Sequence, residues 1–135
     1  LETMREFHPD PIVEISPELA EEQEVQDGDW VWIENHRGRC RQRAKITPGL
    51  NPRYVMREHG WWFPEGDRER LFGVFDSNIN NLTTQSNIGQ SGYGAPYNGL
   101  LCKIYKCTES NSEVLPTEQV TEKGGWSYER NHLEF

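Results

Sequence analysis

Apolar and polar positions alternate most clearly between residues 30 and 46. Trp30, Val31, Trp32, Ile33 and Glu34 are strand formers, and a polar turn follows through Asn35-His36-Arg37-Gly38. From Arg39 to Lys45 every odd position is cationic, while Cys40, Ala44 and Ile46 fall on the even face. Period-two alternation sends one face inward and the other outward, so a β-hairpin is expected whose charged face meets water or a ligand. Upstream, Ile12-Val13-Glu14-Ile15 is a short strand candidate. Ser16-Pro17-Glu18 opens a helix with a hydroxyl cap, proline at the first helical position and a carboxylate in the first turn. Glu24 stands where a glycine would suit the helix exit, and Asp27-Gly28-Asp29 is a turn signal. Thr47-Pro48-Gly49 and Asn51-Pro52 break the second hairpin strand, and Tyr54-Val55-Met56 restarts β structure. Residues 64–70 read as a charged surface loop, Leu71 to Phe75 as another short strand, and Leu100 to Tyr105 as a final β run. Between them, Asp76 to Tyr97 is a long polar stretch, and a loop of that length inside a compact domain is usually functional. Several short strands with one or two short helices predict a small, mainly β barrel with helical connections.

Composition narrows the function classes. The chain has 135 residues, only 34% of them hydrophobic, yet five Trp, five Tyr and five Phe with strong local patterning argue for a folded domain. The net charge of −8 is unevenly placed. Residues 1–29 hold ten acidic side chains against Arg5, whereas residues 34–58 hold seven basic ones (Arg37, Arg39, Arg41, Arg43, Lys45, Arg53, Arg57) against Glu34 and Glu58. Overall acidity disfavours nucleic acid as a partner. The local basic stripe is either a solvated strand face or a surface for a small anion such as a pyrophosphate. Cys40, Cys102 and Cys107 are too few for a disulfide scaffold, and their spacing does not suit a structural zinc site, so all three read as reduced thiols. No apolar run approaches membrane-spanning length, so direct membrane insertion is not expected.

The chemistry-bearing motifs of autonomous enzymes are missing from the sequence: no Gly-x-Ser-x-Gly elbow, no His-Glu-x-x-His, no P-loop and no Gly-x-Gly-x-x-Gly after a strand. No catalytic residue and no metal ligand is assigned. Two segments stand out instead. His59-Gly60-Trp61-Trp62-Phe63 places a glycine between an imidazole and aromatic faces. That lets backbone approach a flat ligand, with His as donor to a phosphate or carbonyl oxygen. The aromatics serve equally as core. The second segment is Asn80-Asn81-Leu82-Thr83, followed by Ser91-Gly92-Tyr93-Gly94-Ala95-Pro96-Tyr97. Amides and hydroxyls both donate and accept along the edge of a nitrogen heterocycle, and Gly92 and Gly94 permit exposed backbone N–H groups.

Taken in order, these stretches resemble one family. They run Val13-Glu14-Ile15-Ser16-Pro17-Glu18, Asp27-Gly28-Asp29-Trp30-Val31, Arg37-Gly38-Arg39, His59-Gly60-Trp61, Asn80-x-Leu82-Thr83, Ser91-Gly92 and Leu101-Cys102-Lys103-Ile104-Tyr105. Their order and spacing are similar to the C-terminal molybdopterin-dinucleotide-binding domain of the dimethyl-sulfoxide-reductase superfamily. The resemblance covers residues 8–107, with 1–7 as a lead-in and 108–135 as an acidic tail whose end is compatible with a vector-derived extension. It implies a six-stranded double-psi β-barrel with short helices in the connections. The implied ligand is molybdopterin guanine dinucleotide, with molybdenum or tungsten held by the parent enzyme. On this resemblance His59, Gly60, Trp61, Asn80, Thr83, Ser91, Gly92, Tyr97 and Asn98 form the cofactor-binding set. Asn98 stands where family members often carry Lys, keeping hydrogen-bonding capacity without the charge. The remaining domains of the large subunit and an iron–sulfur electron-transfer subunit are the implied partners. The isolated domain would position cofactor and carry out no catalysis.

Two rivals belong to other classes. A stand-alone β module for carbohydrate or peptide would use Trp30, Trp32, Trp61 and Trp62 as an exposed aromatic platform. A self-processing double-psi decarboxylase matures at a Gly-Ser bond, and this sequence contains no Gly-Ser pair. The sequence leaves open the substrate, the metal, the electron partner and whether the parent enzyme is cytoplasmic or periplasmic.

Overall fold

A computed structural model of the chain describes residues 6–64, 66–83 and 99–112. Five strands form one mixed sheet: β1 (Ile12–Ile15), β2 (Trp30–Asn35), β3 (Gly38–Ile46), β4 (Met56–Arg57) and β5 (Lys103–Lys106), in the spatial order β4-β1-β3-β2-β5. β2 and β3 are the expected hairpin. Their register pairs Asn35 with Gly38, leaving His36 and Arg37 as a two-residue loop. The Asn35 side-chain oxygen accepts the Arg37 N–H at 2.9 Å, the local bond by which Asn favours a turn. β1 lies parallel to β3, with Val13 opposite Ala44 and Ile15 opposite Ile46, while β4 runs antiparallel along the other side of β1. A parallel pair needs a crossover. Here it is made by helix α1 (Pro17–Glu22) together with β2.

The helix begins as its sequence predicts. Ser16 caps it, accepting the Leu19 N–H at 3.1 Å, and Pro17 follows. Its exit is a Schellman motif. The Val25 N–H donates to the Ala20 carbonyl at 2.8 Å and the Glu24 N–H to the Glu21 carbonyl at 3.2 Å. Val25 and Ala20 are both buried beneath the motif. The left-handed residue that this geometry requires is Glu24, at φ 54°.

The core lies on one face of the sheet. Val13 and Ile15 from β1, Val31 and Ile33 from β2, and Cys40 and Ala44 from β3 are buried together with Ile79, Leu82 and Ile104. Burial pushes the Cys40 thiol up to about 12, so it behaves as a small apolar side chain. The inward face of β3 is not wholly apolar, because Gln42 sits between Cys40 and Ala44 with 0% exposure. On the opposite face Trp32 is buried too, at 2%. Arg39 stacks 4.1 Å above its ring, and its indole N–H donates to Asn111 at 3.1 Å.

Three expectations change. Leu71 to Phe75 is not a strand. A 3-10 turn (Leu71–Gly73) leads into a four-residue helix α2 (Val74–Ser77), with Leu71, Phe72 and Gly73 at φ 48°, 55° and 66°. Consecutive left-handed residues cannot extend into a ladder. The Phe72 carbonyl instead accepts the Phe63 N–H at 2.8 Å, and the Phe72 ring meets Trp62 edge-on at 5.8 Å. β5 starts at Lys103 rather than Leu100, because its partner β2 ends at Asn35 and Glu34 already pairs with Lys103. β4 covers Met56 and Arg57, the positions opposite Glu14 and Val13, rather than Tyr54 to Met56.

Because Glu24 holds a glycine's conformation in a fully formed motif, Glu24→Gly should raise stability by about 0.5–1 kcal/mol. A thermal melt followed by far-UV circular dichroism checks this; an unchanged or lower midpoint would contradict it.

Candidate functional site

Five of the nine sequence-predicted site residues lie among those described: His59, Gly60, Trp61, Asn80 and Thr83. Ser91, Gly92, Tyr97 and Asn98 lie outside them.

The first segment leaves β4 through Glu58, which is fixed on three sides. Its N–H donates to the Ile12 carbonyl at 3.1 Å, and its carboxylate accepts the Ile12 N–H at 3.1 Å and meets His8 Nε2. Its carbonyl accepts from Gln42 Nε2 at 2.9 Å. The next residue, His59, is exposed, and its ring has no partner among the described residues. Gly60 follows at φ 76° with open space where a Cβ would stand, so backbone conformation rather than crowding calls for glycine there. Trp61 turns back and is half-buried, edge-on to His8 at 5.5 Å and to Phe63 at 6.4 Å.

The second segment is a 3-10 turn (Ile79–Leu82) that follows α2. Asn78 caps it, its side chain accepting the Asn80 N–H at 3.0 Å. The two adjacent asparagines then part company. Asn81 points inward, its amide donating to the carbonyls of Phe75 at 2.6 Å and Arg39 at 3.3 Å. Asn80 points outward, exposed, and its side-chain amide has no partner among the described residues. The Thr83 hydroxyl donates to the Asn80 carbonyl at 3.4 Å. Two further amides hold this segment to the sheet. Asn35 donates to the Leu82 carbonyl at 2.8 Å, and Gln42 Nε2 donates to the Ser77 carbonyl at 3.2 Å.

Of the residues singled out in the sequence, His59 and Asn80 stand exposed, whereas the holding roles of Gln42, Asn35, Asn81 and Glu58 were not foreseen. One signal was present. Gln42 is a polar residue on the even, inward face of β3, and a buried polar group is more informative than an exposed apolar one.

A cleft of about 210 Å³ opens beside these segments, lined by Ile33, Val55, Met56, Leu82 and Leu100 with Asn35, Arg57 and Cys102. Its walls are mostly apolar.

Arg57 lines the cleft, but the cations of β3 do not. Arg43 pairs with Asp10 at 2.9 Å, Lys45 with Glu14 at 3.5 Å, and Arg41 with the buried Asp76 at 3.5 Å, which Arg70 also approaches at 3.6 Å. Lys106 lies 2.8 Å from Asp29, and that hydrogen bond holds the Asp29 carboxyl below its usual range. Arg39 stacks on Trp32 and donates to the Tyr105 hydroxyl at 3.3 Å, and Tyr105 in turn donates to Glu34. Partial burial, then the hydrogen bond to the Glu34 carboxylate, push the Tyr105 phenol up. Two ion pairs, Arg43–Asp10 and Lys45–Glu14, thus join the acidic N-terminal stretch to the basic strand.

Trp30, Trp32, Trp61 and Trp62 do not form one exposed platform. Trp32 is buried, Trp30 and Trp61 are half-buried, and Trp62 is the exposed one at 49%. Among the described residues no group of three or more His, Cys, Asp or Glu could hold a metal.

The chain is similar to known proteins in sequence and fold. A family model described as "Molydopterin dinucleotide binding domain" matches residues 1–101. Dopamine dehydroxylase of Eggerthella lenta is 36% identical over 110 residues, which make up 80% of this chain and 10% of that protein. Acetylene hydratase of Syntrophotalea acetylenica is 29% identical over 111 residues, covering 77% of this chain and 15% of that protein. The solved structure of acetylene hydratase from Pelobacter acetylenicus superposes with a TM-score of 0.69 at 27% identity, over 77% of this chain and 15% of that one. The chain thus spans 10–15% of the length of these relatives.

Two outcomes follow. Asn81→Ala should destabilise the fold by about 1–2 kcal/mol, because two partly buried carbonyls lose their donor, whereas Asn80→Ala should stay within about 0.5 kcal/mol of wild type. Urea unfolding of both variants distinguishes them, and equal effects would refute the inward–outward assignment. The phenol of Tyr105 favours its neutral form in the folded chain. Its contribution to stability is therefore complete below the ordinary phenol range and is lost as pH rises through the raised folded value. Ultraviolet titration of tyrosinate should show one late-ionising phenol that is absent in Tyr105→Phe.

Proposed function

The chain belongs to the molydopterin dinucleotide binding domain family, and from that premise we propose that it grips the guanine form of this cofactor within a molybdenum or tungsten oxidoreductase. The observation that carries this reading is the pair of side chains left unengaged at the surface. The His59 imidazole and the Asn80 amide are exposed and without partners among the described residues, yet each follows a main-chain carbonyl that accepts from the buried Gln42 amide. Such a pair offers pre-organised donors and acceptors, which lowers the entropy lost on binding.

The residues present suit such a group. A pterin is a flat, edge-polar heterocycle, and imidazole, carboxamide and hydroxyl groups can both donate and accept along its edge. We assign Asn80 and Thr83 to the pterin edge and His59 to the pterin or a phosphate oxygen. The left-handed Gly60 brings backbone close, and Trp61 packs beneath. Ser91, Gly92, Tyr97 and Asn98 complete the proposed set on the family pattern. When bound, the cofactor supplies the metal centre of the redox step, whose protein ligand we place in another domain. The chain's own work is to orient the organic part and exclude water from it. For the domain we propose the six-stranded double-psi barrel, a reading supported by the parallel β1–β3 pair inside a sheet otherwise joined antiparallel. Its partners are then the rest of the large subunit and an iron–sulfur electron carrier.

Titrating the isotope-labelled chain with molybdopterin guanine dinucleotide released from a purified molybdoenzyme tests this. Amide signals of His59–Trp61 and Asn80–Thr83 should move, and His59→Ala and Asn80→Ala should each weaken binding about tenfold, or about 1.4 kcal/mol. Movement at Trp62 with an oligosaccharide, and none with the cofactor, would reverse the assignment.

A further inference from the structure

Gln42 occupies a position where an apolar residue would complete the core. Its neighbours on the inward face of β3 are Cys40 and Ala44, all three are at most 3% exposed, and burying an amide there is unfavourable unless it is hydrogen-bonded. Its nitrogen is satisfied twice, by the Glu58 carbonyl at 2.9 Å and the Ser77 carbonyl at 3.2 Å. Among the described residues its buried oxygen has no hydrogen-bond partner, and neither has the Ser77 hydroxyl. The side chain is thus oriented by its two donors alone. Those carbonyls belong to segments far apart in sequence. Glu58 immediately precedes His59, and Ser77 lies three residues before Asn80.

We propose that Gln42 is the positioning residue of the cofactor site, its one amide nitrogen fixing the His59 segment and the Asn80 segment relative to each other. Neither segment has a regular element long enough to hold it: β4 is two residues and α2 four. Glu58 is also tied to β1, and the 79–82 turn to β2 through Asn35. Of the hydrogen bonds described, those of Gln42 alone engage both segments with one side chain. Loss of the amide leaves each segment attached to the sheet but frees their mutual spacing. The inference rests on the cofactor reading given above, while the linkage itself stands without ligand.

The test has a ligand-free arm and a ligand arm, both on the full 135-residue chain. In the wild type without ligand, the two Gln42 Nε2 protons should exchange slowly with solvent and show through-hydrogen-bond couplings to the Glu58 and Ser77 carbonyl carbons. In Gln42→Met, which keeps volume but removes both donors, the amide signals of His59–Trp61 and Asn80–Thr83 should shift or broaden together while those of Val31 and Ile33 hold. Fast exchange of the Gln42 amide, or movement of only one segment, overturns the proposal, and the wild-type exchange measurement decides it even if the variant fails to fold. In the ligand arm, run where both proteins are fully folded, Gln42→Met should bind the released dinucleotide about tenfold more weakly. Unchanged affinity overturns the positioning role. If the wild type fails to bind while the ligand-free signatures appear, the cofactor reading falls and the linkage stands.

Discussion

The register of β3 is the constraint on which the rest of the structure depends. This strand pairs along both edges, with β1 on one side and β2 on the other, and both of its faces are committed. Even positions carry Cys40, Gln42 and Ala44 into the core, and odd positions carry Arg39, Arg41 and Arg43 over the tryptophans of β2. A slip by one residue would bury the guanidinium groups and expose the core face together with its amide. The Asn35 turn pins one end of the hairpin, and the parallel pairing with β1 pins the other. The described segments proposed to meet a ligand, at His59 and at Asn80, hang from carbonyls that this strand and its partners hold.

The charge distribution follows from the same register. In the sequence, an acidic stretch and a basic stripe look like separate surfaces, the second of them open to an anion. In the fold, the parallel pairing brings β1 beside β3 and sets Asp10 and Glu14 against Arg43 and Lys45. Most of these pairs are partly solvated and individually worth little. Together with the stacking of Arg39 on Trp32 they engage the cations of β3 within the fold, while Arg57 lines the cleft. Beside it, the groups proposed for recognition are directional, amides and an imidazole on fixed backbone, which suit the edge of a heterocycle.

What was legible in the sequence was what local chemistry decides. The Ser16 cap with Pro17, the β2–β3 hairpin with its Asn35 turn, and the need for a left-handed residue at Glu24 all rest on contacts within a few positions. What was illegible depends on distant partners. Leu71 to Phe75 reads as a strand because it is apolar. It folds as left-handed residues and a short helix, with the Phe72 carbonyl taking the Phe63 N–H and Asp76 taken up by Arg41 and Arg70. The start of β5 is set by the end of β2, which nothing in residues 100–102 reveals. Gln42 was hidden because one polar residue hardly disturbs an alternation dominated by its cationic odd positions.

The asparagine pair shows how fold and proposed site share one device. A carboxamide held inward by two carbonyls, as at Asn81, is a clamp; a carboxamide left outward, as at Asn80, is the proposed reader. Side-chain composition cannot distinguish them, since the residues are identical and adjacent. The distinction comes from the turn, whose Asn78 cap sets the rotation that sends one amide to the Phe75 and Arg39 carbonyls and the next to solvent. The same logic pairs Gln42, inward and engaged, with His59, outward and exposed. Rigidity in the reader therefore derives from buried amides that would never touch the ligand. A substitution two or three residues from any contact can thus loosen recognition as much as one at the contact itself, because orientation at a binding site depends on the groups that hold its backbone as well as on those that meet the ligand.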